Sequence, residues 1–144
     1  MQRVLVGIAL FLAAMVSCQI LFSDDRDAVE DEMERLFELA RAGGEDAVEE
    51  ILEGFADDYR GSGNFALSRI ERALRGAVVP AGSLTKLEHG AFDAIVTGQE
   101  IEIPIVSVSA ESGGRTIRIV LRFVWARRDG TWKIVDVTRW RTRR

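Results

Sequence analysis

One cysteine, one histidine, one tyrosine and two prolines are all that these 144 residues contain of those types. A single cysteine excludes an intramolecular disulfide, and with one histidine it leaves no His/Cys zinc set. No phosphate-cradling loop is present: Gly61-Ser62-Gly63 and Gly113-Gly114 lack both the following lysine and the strand–turn–helix setting. A Gly-x-Ser-x-Gly nucleophile motif is absent as well. The acid pairs Asp24-Asp25, Glu49-Glu50 and Asp57-Asp58 are adjacent, so their side chains diverge instead of converging on a metal. The chain is therefore expected to hold neither metal nor cofactor. What remains is 47% hydrophobic and 29% charged, the make-up of one ordinary globular domain with a little to spare.

The surplus is at the amino terminus. From Val4 to Phe22 there are 19 residues without a charge, within the ~17–25 that a spanning helix needs. Arg3 precedes the run, and Asp24, Asp25 and Asp27 follow it, which places the remainder of the chain outside the cytoplasm. Three outcomes are open for residues 1–22. Met15-Val16-Ser17-Cys18 resembles a bacterial lipobox, which would make Cys18 a lipidated amino terminus; Ile20-Leu21-Phe22 continue the run and favour an uncleaved anchor; cleavage as an ordinary signal peptide gives a secreted product. Each predicts an extracytoplasmic domain over 23–144, membrane-associated in the first two cases.

That domain reads as helices first and strands second. Val29, Met33, Leu36, Phe37 and Ala40 fall at helical spacing within Ser23–Ala42, which Gly43-Gly44 closes. Val48, Ile51, Leu52, Phe55 and Tyr59 predict a second helix over about Glu45–Tyr59. A third, with Phe65, Ile70 and Leu74 inward, is expected to end at Gly76. After Pro80 the period becomes two. Short strands are expected over Ser83–Glu88 and Phe92–Val96. Next comes a strand whose phase slips at Pro104-Ile105-Val106, which predicts a bulge. Thr116–Arg127 and Thr131–Arg141 flank Asp129-Gly130, a strong hairpin signal. The predicted class is α+β, three helices packed on one face of an antiparallel sheet.

The closing segment Phe123-Val124-Trp125-Ala126-Arg127-Arg128-Asp129-Gly130-Thr131-Trp132-Lys133-Ile134-Val135 resembles the last hairpin of nuclear transport factor 2-like domains, the superfamily of ketosteroid isomerase and polyketide cyclases. Ile51-Leu52-Glu53-Gly54-Phe55-Ala56-Asp57-Asp58-Tyr59 is similar to that family's second-helix ending. The resemblance extends from Asp24 to Arg141. It implies a strongly curved, cone-shaped sheet of the cystatin-like roll type, closed by helices over an internal pocket.

An unbroken two-residue hairpin would pair Trp125 with Ile134, Phe123 with Asp136, Leu121 with Thr138 and Ile119 with Trp140. Trp125, Trp132, Ile134 and Phe123 are then expected to line the pocket, with Asp136 among them. Tyr59 and Asp58 can point to the same interior. This trio is the candidate catalytic site for proton transfer beside a carbonyl, as in an isomerase, dehydratase or cyclase. The competing reading makes Asp136 a rim residue paired with an arginine, Asp58 a helix-end residue and Tyr59 a core aromatic. His89 is expected on the surface.

Charge is unevenly placed beneath a net of −4. Residues 23–62 carry 15 acids and 4 arginines, a net of −11; residues 115–144 carry 10 basic residues and 2 acids, a net of +8. By the pairing above, Arg118, Arg122, Arg139 and Arg141 share the outer sheet face with Val120 and Val137. Such a face suits a homodimer or an envelope partner. No aromatic residues interleave these arginines to stack bases, so nucleic acid is not expected. The leading expectation is a membrane-tethered, non-catalytic domain that binds a partner or a small apolar ligand; the alternative is the cofactor-free acid–base enzyme.

Overall fold

The structure, a computed structural model, describes residues 25–80 and 84–140. The segment 1–22 with Cys18, and Arg141, lie outside them. Helix α1 covers residues 25–42, α2 Glu45–Glu53 and α3 Leu67–Val78, the last preceded by a 3-10 turn at Gly63–Phe65. Five strands follow: β1 Lys86–His89, β2 Ile95–Thr97, β3 Glu100–Ser112, β4 Arg115–Arg128 and β5 Thr131–Arg139. All pair antiparallel in the order β1-β3-β4-β5, with β2 beside β1 on the same edge of β3. The predicted α+β order is thus the order found. No helix among the described residues is long and apolar enough to cross a membrane.

Alternation dictates which face of the sheet is covered. Ile101, Ile103, Val106 and Trp125 from β3 and β4 are buried against Val29, Met33 and Leu36 of α1 and Ile51 of α2. The phase slip at Pro104 is a register shift between Ile103 and Val106, which lets both of those residues face inward. Pro104 falls between the stretches where β2 and β1 pair with β3, so its missing N–H interrupts no ladder. Asp129 and Gly130 both take positive φ, 53° and 78°, as the tight turn between twisted strands requires.

Three expectations are corrected. The second helix stops at Glu53, not near Tyr59, because the chain beyond it serves β5. Ile134 donates its N–H to Gly54, Ala56 to Ile134 and Arg60 to Val135, so residues 54–60 supply the hydrogen bonds that β5's free edge would lack. The third helix runs through Gly76 to Val78, where Pro80 two residues on prevents continuation. The hairpin is also not unbroken. Trp125 pairs with Ile134 as expected, but Val124 pairs with Asp136, Phe123 with Val137 and Leu121 with Arg139, leaving Val135 as an extra residue. That bulge sits where Val135 is held by Arg60 and packs with Ala56, Val124 and Ala126. Beyond it every side chain of β5 changes face.

Candidate functional site

Between the helices and the inner face of the sheet lies a cavity of about 440 Å³. α1 contributes Met33, Leu36 and Phe37, α2 Ile51, and α3 Ile70, Leu74 and Val78. β4 contributes Ile119, Leu121 and Phe123, and β5 Ile134 and Val137. These are the positions that helical spacing and strand alternation turn inward, so the lining follows from the folding pattern itself. Apart from Asn64 and Arg69, every lining side chain is apolar. Of the four residues expected in the lining, Phe123 and Ile134 are there. Trp125 is fully buried in the core behind it, its indole N–H without a partner among the described residues. Trp132 lies toward the hairpin end, with the Arg127 guanidinium 5.2 Å from its ring centre.

The candidate catalytic trio does not converge there. The bulge carries Asp136 to the outer face, opposite Val124, where its carboxylate is 3.7 Å from Arg122. Arg122 is held more closely by Glu102 at 2.6 Å, and that hydrogen bond raises the guanidinium above its already high pKa. Asp58 is exposed and receives three hydrogen bonds from Arg128, at 2.9, 3.0 and 3.2 Å, which hold its carboxyl below the usual value. Tyr59 packs edge-on against Phe55 and donates its hydroxyl proton to the Phe65 carbonyl at 2.8 Å. Burial pushes this phenol up to about 12; the Asp136 charge acts in the same direction and a Val137 backbone hydrogen bond opposes it. None of the three lines the apolar cavity.

The arginine–valine face is also rearranged. Val137 is buried on the inner side, and Arg139 pairs with Leu121 of the inner row instead of standing beside Arg122. Arg118 and Val120 keep the outer face, opposite Ser109 and Ser107. They line a broad groove of about 790 Å³ together with Arg139, Trp140, His89 and Glu88. Neither Arg118 nor Arg139 has an ion-pair partner among the described residues, and Trp140 is 36% exposed. His89, expected on the surface, is instead mostly covered. Its ring stacks on Phe92 at 4.4 Å and meets Phe37 at 4.5 Å, while its nitrogens reach Glu34 and the Gly90 carbonyl. Phe37 and Glu34 come from α1 and Phe92 from the segment between β1 and β2, so the imidazole at the end of β1 is covered by residues distant from it or just beyond it in the chain.

Among the described residues no group of His, Cys, Asp and Glu is placed to hold a metal ion. Sequence reasoning missed Asn64 and Arg69, the two polar residues of the cavity. Their signal was slight: a basic residue in the first turn of a helix that has no acid there and no side-chain cap.

No family model and no curated protein matches the chain. Solved structures do. A nuclear transport factor 2-like protein with a cystatin-like fold from Novosphingobium aromaticivorans superposes with a TM-score of 0.63 at 17% identity, over 85% of this chain and 84% of that one. A nuclear transport factor 2-like protein of unknown function from Shewanella oneidensis gives 0.61 at 13%, over 77% and 94%. Another of unknown function, from Pseudomonas putida, gives 0.56 at 15%, over 77% and 84%. The chain has the nuclear transport factor 2-like, cystatin-like fold.

Proposed function

We propose that this domain is a non-catalytic binder that takes a small apolar ligand into the interior of its cone. In this reading the amino-terminal segment tethers it to a membrane outside the cytoplasm. The single supporting observation is the cavity: its size is in the ~300–1,000 Å³ range of small-molecule sites, and its wall is apolar save at Asn64 and Arg69. General acid–base catalysis needs a titratable side chain within hydrogen-bond reach of the substrate. Asp136, Asp58 and Tyr59 are engaged elsewhere, with Arg122, Arg128 and Phe65 respectively. The acid–base alternative therefore loses its site.

The test uses a neutral apolar dye, N-phenyl-1-naphthylamine, whose fluorescence rises on leaving water. Saturable one-to-one binding is expected, lost in Leu121→Trp, which fills the cavity. Circular dichroism checks that the variant is folded. A dye signal that does not saturate, or that survives the filled cavity, contradicts the proposal. A second reading rests on a separate observation, the outer groove with Arg118, the exposed Trp140 and, bordering it at the end of β5, Arg139, neither arginine having an ion-pair partner among the described residues. There a second copy or an envelope protein would dock. Arg118→Glu combined with Arg139→Glu is expected to abolish self-association in sedimentation while the fold survives; unchanged association removes that reading.

A further inference from the structure

We propose that the apolar ligand is a single-chain amphiphile whose anionic head rests at Arg69, an inference that stands on the apolar-binder reading above. A purely hydrocarbon ligand would need no polar group in the wall. Two are present, and they are together: the Arg69 guanidinium donates to the Asn64 side-chain oxygen at 2.9 Å. Asn64 comes from the 3-10 turn and Arg69 from the first turn of α3, and both are exposed, which puts them at the water-facing edge of the cavity.

Arg69 has no carboxylate partner among the described residues. Glu71, the nearest acid along the helix, is instead taken by Arg75 at 3.0 Å. Asn64, as the acceptor, fixes the direction of the guanidinium without neutralising it, leaving its other N–H groups to a carboxylate or phosphate. The same helix end favours an anion on independent grounds. α3 begins with no acid in its first turn and no side-chain cap, so the positive end of its dipole is uncompensated. Water at the edge accommodates a charged head, while the tail displaces it from the apolar wall. One ligand class satisfies both ends: a hydrocarbon chain with a carboxylate or phosphate head.

Calorimetric titration with four twelve-carbon probes below their micelle concentrations separates the outcomes. Dodecanoate, dodecyl phosphate, dodecanol and dodecylamine share a tail and differ in head. The expected order places the anions at least about fivefold tighter than dodecanol, and dodecylamine weakest. Arg69→Gln is expected to bring the anions to the level of dodecanol and leave dodecanol unchanged, with Arg69→Lys restoring most of the difference. A preference confined to one anion identifies the head as carboxylate or phosphate. Equal affinity of dodecanoate, dodecyl phosphate and dodecanol for the native chain overturns the inference and leaves the apolar site standing. So does an equal loss of dodecanol binding in Arg69→Gln. If none of the four binds, the apolar-binder reading fails and this inference with it.

Discussion

Tyr59 is the chain's one tyrosine, so phenolate absorbance reads a single group. In the folded chain the phenol keeps its proton up to about 12, against an ordinary 10. The unfolded chain therefore releases the proton first. Stability from this group is complete below pH 10 and declines as pH rises toward 12. Titration at 295 nm is expected to show a midpoint near 12 in buffer and near 10 in denaturant. A midpoint of 10 in the folded protein contradicts the burial described here. Trp125 makes a second case. Its indole N–H is buried without a partner among the described residues, which forfeits roughly 1–3 kcal/mol. Trp125→Phe removes that N–H and keeps most of the ring, so a loss below about 2 kcal/mol is expected; Trp125→Ala leaves a void and costs about 3–5 kcal/mol. Urea unfolding distinguishes the two. That Trp125 is a core residue was legible from alternation along β4. That its N–H has no partner was not, since this depends on which backbone oxygens the helices bring near.

At the scale of elements, the bulge in β5 decides the most. It sends Val137 inward and Thr138 outward, the reverse of an unbroken hairpin. Val137→Lys is expected to destabilise by about 3 kcal/mol or more, through a buried unpaired charge, while Thr138→Lys stays within about 1 kcal/mol. Comparable losses, or the opposite order, in chemical denaturation would refute the register. The Asp-Gly turn and the Pro104 slip could be read from the sequence because each rests on a local residue property. The β5 bulge rests on Gly54, Ala56 and Arg60, some 80 positions away along the chain, and alternation alone gives no sign of it. The same strip makes Gly61 a required glycine: a Cβ there would come within 2.0 Å of the Tyr59 hydroxyl. Gly61→Ala is expected to cost about 1–3 kcal/mol and to release the Tyr59–Phe65 hydrogen bond. The released phenol would show in the same absorbance titration as a midpoint shifted toward 10.

Over the whole molecule, the acidic helices α1 and α2 contrast with the basic β4–β5 hairpin, and part of that contrast is used internally. Arg127 pairs with Asp25 of α1, and Arg128 with Asp58 beyond α2, so the hairpin is tied to the first helix and to the segment that follows the second. Arg122, between Glu102 and Asp136, shows that the outer face is not uniformly basic. The cone with its apolar interior was legible because helical spacing and strand alternation both point to it. The identity of the outer-face residues past the bulge was not. What distinguishes this account from a partner-binding surface or an acid–base enzyme is where a ligand goes. Methyl-group NMR during titration with dodecanoate answers that directly. Shifts are expected at Met33, Ile51, Leu121 and Ile134 around the cavity, with Val120, Val124 and Val135 on the other side of the sheet unmoved. Shifts confined to the outer face, or none at the interior methyls at saturation, would contradict it.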